Sequence, residues 1–421
     1  MFALVDCNSF FCSVEKVFHP GLSGRPVCVL SNNDGCIVAL TPEAKQLGLR
    51  RGDPLFKVKH IVERNGVVVF STNMPLYAAM SDRITSILRK TLPVVEKYSI
   101  DESFCALKGI DSGKQEQLMR DVVEKIQRFT DIPVSVGIAS TKTLAKVANK
   151  FAKKYKGYQG VCVIDDEQKR QRALELTSLD DVWGVGRQTF EKCKTLGLKT
   201  AWDFSEKSET WIRKYFNKPT LQIWLELNGV ACIDTTEKTQ NKSITTSRSF
   251  GNMVQGLPAL KASVATFAAS CANKLRAQHA VAKTVTVYLC SNRFRTDLEQ
   301  YIASETFRFI TPTSDTLEIT QAALNLLKKM YRPNIFYKKI GVIVGDVSDA
   351  SVITMNLFDT ISNRHERRDL MKVLDQVNQR FGLKTIRLSV EGEAKQKWHV
   401  KCENKSLNYL TDINEILTIR I

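Results

Sequence analysis

The apolar residues in the first 165 positions follow two alternating patterns. Short apolar runs between polar turns predict buried strands. These runs lie at 2–6, 27–30, 94–100, 103–107, 133–139 and 160–164. Longer stretches repeat their apolar positions with a helical period, at about 8–18, 74–90, 114–129 and 141–154. Because the strands alternate with helices and two of them form a hairpin, the pattern predicts an α+β layer with a mixed sheet.

A segment at about 31–71 interrupts this layer. It opens with the turn sequence SNNDG and contains one well-delimited helix. Thr41 is a suitable N-cap, Pro42 suits the first helical position, and Gly48 can end the helix. The segment is therefore predicted to be a small insertion with its own structure.

The second half of the chain changes pattern twice. Residues 166–235 are predicted to be all-helical, and the polar stretch 235–243 has the composition of a linker. A second α/β unit follows, and the tail from 352 onward is charged and less regular. In this second unit we predict helices at 257–280 and near 316–331, and strands at 283–290, 305–313 and 340–347.

The net charge of the chain narrows the classes of function that it can have. The 421 residues carry a formal net charge of +17 at pH 7, and their number allows several domains. Such an excess attracts polyanions, of which nucleic acid is the commonest, although a generally basic and well-solubilised protein has the same composition. No apolar stretch has the length of a membrane span, and the N-terminus lacks signal-peptide features. We expect a cytoplasmic protein.

The eleven cysteines are scattered, without a C-x-x-C pair. This pattern favours small buried side chains in a reducing compartment over a disulfide framework or a zinc site. His399 and Cys402 could share a metal ion, but a lone pair is a weak signal.

Three carboxylates mark the candidate chemistry. Asp6 ends a buried strand, where it could be a metal ligand or a helix cap. Asp101 and Glu102 are adjacent acids at a predicted hairpin, and burying both without a cation would be costly. If their strand lies beside the first, the three carboxylates converge. Such a cluster suits a two-metal site for phosphoryl transfer, whereas a solvated turn with two acids is the alternative.

Six ordered motifs carry a resemblance to a known family. They are DCNSFF (6–11), SNNDG (31–35), PEAK (42–45), YSIDESF (98–104), SVGIASTKTLAKVANKFAKK (135–154) and DVWGVG (181–186). Together they resemble the Y-family DNA polymerases, most closely the catalytic subunits of bacterial SOS mutagenesis polymerases. The resemblance implies a multidomain right-hand polymerase. Its expected parts are a palm (1–30 and 72–165), fingers (31–71), a helical thumb (166–235), an α/β little finger (244–350) and a C-terminal tail (351–421).

The same resemblance implies roles for residues near the carboxylates. Asp6, Asp101 and Glu102 would be the catalytic metal ligands for two Mg²⁺ ions, joined by the backbone carbonyl of Cys7. Phe11 would be a steric gate that excludes ribonucleotides by colliding with a 2′-hydroxyl. Its neighbour Phe10 is expected in the core.

Two lysines would bind the incoming nucleotide. Lys45 lies one turn inside a helix N-terminus, a natural phosphate site, and Lys153 would neutralise the β- and γ-phosphates. Pro42 stands where the family often has tyrosine. We expect Lys146, Lys150 and Lys154 to form a solvated or template-facing surface. Cys36 and Val38 would form the roof over the nascent base pair.

Further residues would contact DNA or a partner. Gly184, Val185 and Gly186 match a helix-hairpin-helix signature, in which backbone N–H groups approach a phosphate; a simple helix turn is the alternative. Arg248 would contact DNA from the little finger, together with Arg293, Arg295, Lys338 and Lys339, by salt-dependent, sequence-independent binding. Met355, Asn356, Leu357 and Phe358 resemble a sliding-clamp-binding peptide, although Thr354 replaces the usual glutamine.

These observations lead to the hypothesis of an error-prone translesion DNA polymerase. Its substrates would be primer–template DNA and dNTPs, and its partners a sliding clamp, a UmuD-type subunit and a recombinase filament. A catalytically silent scaffold that binds clamp and DNA in a mutasome is the main alternative. A nucleotidyl cyclase shares the palm chemistry, but it has no need of a basic DNA-holding unit.

Overall fold

The computed structural model describes residues 1–235, 241–351, 358–359, 361, 363–382, 384–392 and 400–417. The chain forms two compact units. The first combines Met1–Lys238 with Cys402–Ile421, and the second is Thr239–Lys401. Among the described residues, no helix is both long and apolar enough to cross a membrane.

The first unit contains both strands and helices. Its strands are β1 (Phe2–Cys7), β2 (Val27–Leu30), β3 (Ile37–Leu40), β4 (Val68–Ser71), β5 (Val94–Lys97), β6 (Glu102–Ala106), β7 (Val134–Ala139) and β8 (Val161–Ile164). Its helices are α1 (Phe10–Phe18), α2 (Pro42–Gln46), α3 (Leu55–Arg64), α4 (Met74–Thr91), α5 (Ser112–Thr130), α6 (Lys142–Lys154), α7 (Glu167–Glu175), α8 (Arg187–Thr195), α9 (Ala201–Ser205), α10 (Glu209–Tyr215) and α11 (Lys218–Leu227).

The central sheet of this unit has the strand order β5-β6-β1-β7-β8. β1 is antiparallel to β6 and β7, whereas β7 and β8 are parallel, so the predicted mixed sheet is confirmed. Both faces are covered: Ala3 and Val5 pack into one core with α4 and α5, and Leu4 packs into another with α6. Gly137 lets α6 approach β7 closely, because a Cβ there would lie 2.1 Å from the carbonyl oxygen of Ala145.

A separate three-stranded sheet has the order β3-β2-β4. We expected Val27–Leu30 in the central sheet, and this was wrong: β2 pairs with β3 and β4 instead. An apolar run predicts burial but does not specify a distant partner strand. The predicted helix in the insertion is confirmed, since Thr41 caps α2 at Ala44 N and Pro42 is its first residue. Gly48 follows its end with φ of +86°.

Helices α7 to α11 follow the sheet and confirm the predicted all-helical segment. Their apolar side chains, among them Leu174, Phe204 and Ile212, share a core with α6. This core ties the helical segment to the helix that follows β7. In the turn before α8, Trp183 packs against Tyr98 and Phe104, with ring centroids 5.6 and 5.8 Å away.

The second unit is an antiparallel sheet with helices packed on it. Its strands are β9 (Ser243–Val254), β10 (Ala280–Ser291), β11 (Ile302–Thr313) and β12 (Tyr337–Asp349), in the order β11-β10-β12-β9. Its helices are α12 (Leu257–Ala277), α13 (Thr316–Met330) and α14 (Arg364–Phe381). Strand β9 was not predicted, and α14 lies in the tail that we described as less regular. Ser and Thr occupy five of the twelve positions of β9, so its apolar alternation is weak. In α14, eight of the eighteen residues are charged.

Candidate active site

Two of the three carboxylates lie opposite each other on neighbouring strands. Asp6 on β1 is paired with Glu102 on β6 in the antiparallel register. Directly opposed residues project their side chains from the same face of a sheet. Both side chains are largely buried, with 13% and 20% of their surface exposed. The structure therefore meets the condition that the sequence left open, that the two strands lie side by side.

Asp101 is held at the turn before β6. Its backbone carbonyl accepts a hydrogen bond from the Cys7 N–H at 2.9 Å. Its side chain accepts a bond from the Ser99 hydroxyl at 2.6 Å, and the same hydroxyl accepts from the Glu102 N–H at 3.0 Å. The turn is therefore fixed by its own side chains and by β1, which places Asp101 next to the other two acids.

Two lysines from α6 pair with these carboxylates. Lys153 Nζ lies 2.5 Å from Asp6 Oδ1, and Lys146 Nζ lies 2.8 Å from Glu102 Oε1. Lys146 is also positioned over the rings of Tyr98 and Trp183, at 4.8 and 5.3 Å from their centroids. Only 16% of the Lys146 side chain is exposed. Of the two expectations for Lys146, a solvated or a template-facing surface, the solvated one is therefore wrong, and the template-facing one stays a prediction.

The charge of the site is not fully balanced by these lysines. Burial raises the pKa of Asp6 to about 6; Lys153 opposes that rise, while Glu102 and Asp101 add to it. Uncompensated carboxylates with hard oxygen donors suit a magnesium ion. Burial also raises the pKa of the Cys7 thiol far above its usual value. The thiol is therefore neutral, and only the backbone carbonyl of Cys7 fits as a ligand.

In this conformation the acids are arranged around lysines rather than around an ion. Within the described part of the chain, no group of three or more His, Cys, Asp or Glu side chains is close enough to hold a metal. The ammonium groups of Lys146 and Lys153 lie beside the acids instead. The donor set, with carboxylate and carbonyl oxygens, fits the ion by its chemistry.

Phe11 lies in the first turn of α1, close in sequence to the end of β1. It is half-buried and stacks on Tyr77 of α4, with ring centroids 4.5 Å apart and planes inclined by 16°. Phe10 is 3% exposed and belongs to the core, as expected. Tyr77 in turn donates a hydrogen bond to the buried Glu15 at 2.6 Å. Phe11 therefore rests on a rigid, buried support.

The other nucleotide-binding candidates lie on two helices. Lys45 is exposed in α2, and Lys153 is in the last turn of α6 beside Asp6. Cys36 and Val38 are half-buried at the start of β3. Lys150, which we expected on a solvated surface, is partly exposed and pairs with Asp181.

The Gly184-Val185-Gly186 turn precedes α8. Both glycines are exposed and Val185 is buried, so the backbone of the turn faces outward. Gly184 has φ of +86°, and a Cβ there would lie 2.7 Å from Ile223 Cδ1. Gly186 is the N-cap of α8, and a Cβ there would have no other atom within 4 Å. The turn thus requires glycine at 184 and leaves space at 186.

The remaining predicted residues lie in the second unit. Arg248 is exposed and is paired with the buried Ile340, which places it on the helix-covered face of the sheet. The opposite face carries Thr and Ser hydroxyls, such as those of Thr286 and Thr306, which bond each other at 2.8 Å. Of the clamp-peptide residues, Phe358 is 76% exposed. Met355, Asn356 and Leu357 lie outside the described residues.

Sequence reasoning missed Tyr77, Glu15 and the role of Lys146. Tyr77 and Glu15 are apolar-face positions of amphipathic helices, so the sequence pattern shows only that they are buried. Lys146 is spaced seven residues before Lys153, which puts both on one side of α6. From that spacing, the position of Lys146 near Lys153 could have been predicted.

Three family models match the chain. They are the impB/mucB/samB family over residues 5–150, the C-terminal domain of that family over 241–357, and a domain of unknown function, DUF4113, over 368–419. The protein UmuC of Salmonella typhimurium is 41% identical over all of both chains. DNA polymerase IV of Alkaliphilus oremlandii is 28% identical and covers 90% of this chain and 96% of its own.

A solved structure shares the fold. The Y-family DNA polymerase chimera Dbh-Dpo4(243-245)-Dbh aligns with a TM-score of 0.64 at 23% identity, over 83% of this chain and 100% of the other. This alignment supports the right-hand polymerase architecture expected from the motifs.

Proposed function

Since the chain belongs to the impB/mucB/samB family of Y-family DNA polymerases, we propose that it performs error-prone translesion DNA synthesis in the SOS response. The observation that carries the proposal is that the backbone brings Asp6, Asp101 and Glu102 to the same end of the central sheet. Asp6 and Glu102 are opposed in register, and Asp101 is bonded to Cys7. A polymerase needs such a cluster because nucleotidyl transfer develops negative charge on phosphate oxygens.

The carboxylates of Asp6, Asp101 and Glu102 and the carbonyl of Cys7 would hold two Mg²⁺ ions. When bound, these ions activate the attacking 3′-hydroxyl and stabilise the leaving pyrophosphate. The turn at Ser99 and the pairing of β1 with β6 keep the three acids in position before substrate arrives. Such preorganisation lowers the cost of assembling the site during the reaction.

Besides pairing with the acids, the lysines of the site would bind the triphosphate of the incoming nucleotide. Lys153 is 35% exposed at its side chain, so it can turn from Asp6 toward a triphosphate. An ammonium group there would offset the charge of the β- and γ-phosphates. Lys45, exposed in the last turn of the five-residue helix α2 and not at its N-terminus, would contact the same triphosphate by its charge alone.

Phe11 would select the sugar. Its ring is supported from below by Tyr77, so a 2′-hydroxyl that collides with the ring cannot easily push it aside. Cys36 and Val38, both small, would form the roof over the base pair. A small roof checks the shape of a base pair poorly, which would allow insertion opposite a damaged base.

The protein would bind the primer–template DNA through its phosphates, independently of the base sequence. The outward-facing backbone of the Gly184-Val185-Gly186 turn is suited to a phosphate. Arg248 and the other basic residues of the second unit would add salt-dependent contacts. A sliding clamp at residues 355–358, a UmuD-type subunit and a recombinase filament are the proposed protein partners.

Primer extension tests the proposal directly. The wild type, with Mg²⁺ and any activating partners, is expected to add dNTPs to a primed template. Asp101→Ala is expected to lose extension while its affinity for primer–template DNA remains, because Asp101 lies in the metal site. A wild type that binds DNA but never extends the primer would support the silent scaffold instead.

A further inference from the structure

The C-terminal part of the chain returns to the first unit. Residues 403–409, called here the C-terminal strap, lie within the family segment of unknown function. The strap begins at the insertion that carries α2: Glu403 N donates to Asp34 Oδ2 at 2.8 Å, and Asn404 N donates to Ser71 Oγ at 2.9 Å. Ser71 N donates back to Asn404 O at 2.9 Å, and Lys405 forms a parallel bridge with Ser71. The strap therefore extends the β3-β2-β4 sheet and contacts both ends of the insertion.

Asn73 fixes the next part of the strap. Its side-chain amide donates to Ser406 O at 3.0 Å, to Ser406 Oγ at 3.1 Å and to Leu407 O at 3.2 Å. Asn73 is the N-cap residue of α4, a position where asparagine usually bonds to its own helix. Here its side chain makes no such cap bond. The completely buried Asn73 is committed to the strap instead.

Ser406 connects the strap to the support of Phe11. The Ser406 hydroxyl donates to Glu15 Oε1 at 3.0 Å, and the Tyr77 hydroxyl donates to the same oxygen at 2.6 Å. Glu15 and Tyr77 are both completely buried, and Tyr77 stacks on Phe11. Burial raises the pKa of Glu15, and the hydrogen bonds from Tyr77 and Ser406 oppose that rise.

The strap ends in an aromatic contact on α1. The Tyr409 ring is 8% exposed and stacks on Phe18, with centroids 4.8 Å apart and planes inclined by 17°. Its hydroxyl lies 3.3 Å from His19 Nε2. The strap thus contacts both helices, α1 and α4, whose side chains form the stack of Phe11 on Tyr77.

We propose that the strap is a positioning element of the nucleotide pocket: through Ser406 and Glu15 it holds Tyr77 beneath Phe11 and so sets discrimination against ribonucleotides. The inference rests on the proposed function, because it gives Phe11 the role of steric gate. A gate excludes a hydroxyl only if its ring cannot recede. The shared acceptor on Glu15 provides that resistance, since moving Tyr77 breaks a bond in a buried network.

The test compares Ser406→Ala, Ser406→Thr and Thr411→Ala in the full chain. Thr411 is an exposed residue just beyond the strap and serves as the matched control. Single-nucleotide incorporation is measured with each dNTP and rNTP. Ser406→Ala is expected to raise the ribo-to-deoxy efficiency ratio about threefold to tenfold, the scale of the net contribution of one typical hydrogen bond. Ser406→Thr, which keeps the hydroxyl, should restore the wild-type ratio, and Thr411→Ala should not change it.

A ratio in Ser406→Ala equal to that of the wild type would overturn the inference, provided that Phe11→Ala raises the ratio. If the wild type incorporates no dNTP, or Phe11→Ala has no effect, the proposed function or the gate has failed instead. Amide hydrogen exchange then decides whether the strap positions these residues. Protection in α1 and the first turns of α4 should fall in Ser406→Ala and not in Thr411→Ala, and unchanged protection would refute the connection.

Discussion

Replacing Asp6 by asparagine is expected to stabilise the protein while removing its proposed activity. Burial and the neighbouring acids raise the pKa of Asp6 from 3.8 to about 6. Because one pKa unit corresponds to about 1.4 kcal/mol, ionising Asp6 costs the folded state about 3 kcal/mol. Asparagine has a similar shape and no charge, so it avoids this cost. Lys153 loses its partner, but its side chain is partly exposed and can reach water.

The pH dependence of the stability follows from the same raised pKa of Asp6. Between pH 4 and 6 the folded state binds more protons than the unfolded state, so the wild type loses stability as the pH rises through this range. The advantage of Asp6→Asn should therefore be absent below about pH 4 and complete above about pH 6. We expect a gain of about 1–2 kcal/mol at pH 7.5, smaller than the full cost of ionising Asp6 because Lys153 is left unpaired.

Urea denaturation in EDTA measures the difference. Asp121→Asn, at an exposed position on α5, is the control and should change the free energy of unfolding by less than about 0.5 kcal/mol. Adding Mg²⁺ should stabilise the wild type and not Asp6→Asn, because the proposed ion site includes the Asp6 carboxylate. A variant less stable than the wild type at pH 7.5, or a gain independent of pH, would refute the electrostatic reasoning.

Two further changes test the pocket and the packing. Phe11→Ala should raise ribonucleotide incorporation in primer-extension assays because it removes the ring beneath the sugar, and an unchanged ribo-to-deoxy ratio would remove the gate assignment. Gly137→Ala should destabilise the protein by about 3 kcal/mol or more in urea, because its Cβ would overlap backbone atoms of Ala145 and Asn149. Gly157→Ala, whose Cβ has open space, is the control and should change stability little.

The sequence predicted the parts of the fold whose signals are local. Apolar runs indicated the strands of the central sheet, and the order Thr41, Pro42, Gly48 indicated α2 with both of its ends. The partner of β2 was not predictable, because strand pairing depends on contacts between distant segments. Strand β9 was missed for a different reason: on its core side, Thr246 and Arg248 lie between Ile244 and Phe250, which leaves no continuous apolar alternation.

The candidate site also combines residues that have a local sequence signal with residues whose contacts come from distant segments. Asp6, Asp101 and Glu102 were predicted from the sequence because the adjacent acids Asp101 and Glu102 would be costly to bury without a cation, and because the motifs around all three resemble those of a known family. The position of Lys146 was not, since its contacts with Glu102 and Trp183 come from different elements of the fold. The strap is the extreme case, because Asn73 and Ser406 are separated by 333 positions. No local pattern in the tail indicates such a contact.

Bypass of an abasic site tests the central claim most directly. The wild type and Asp101→Ala are compared on the same primed template, with Mg²⁺, sliding clamp, UmuD-type subunit and recombinase filament present. The wild type is expected to insert opposite the lesion and extend beyond it, and Asp101→Ala is expected to bind the template without adding a nucleotide. Bypass by Asp101→Ala, or a wild type that extends undamaged templates and always stops before the lesion, would contradict the account.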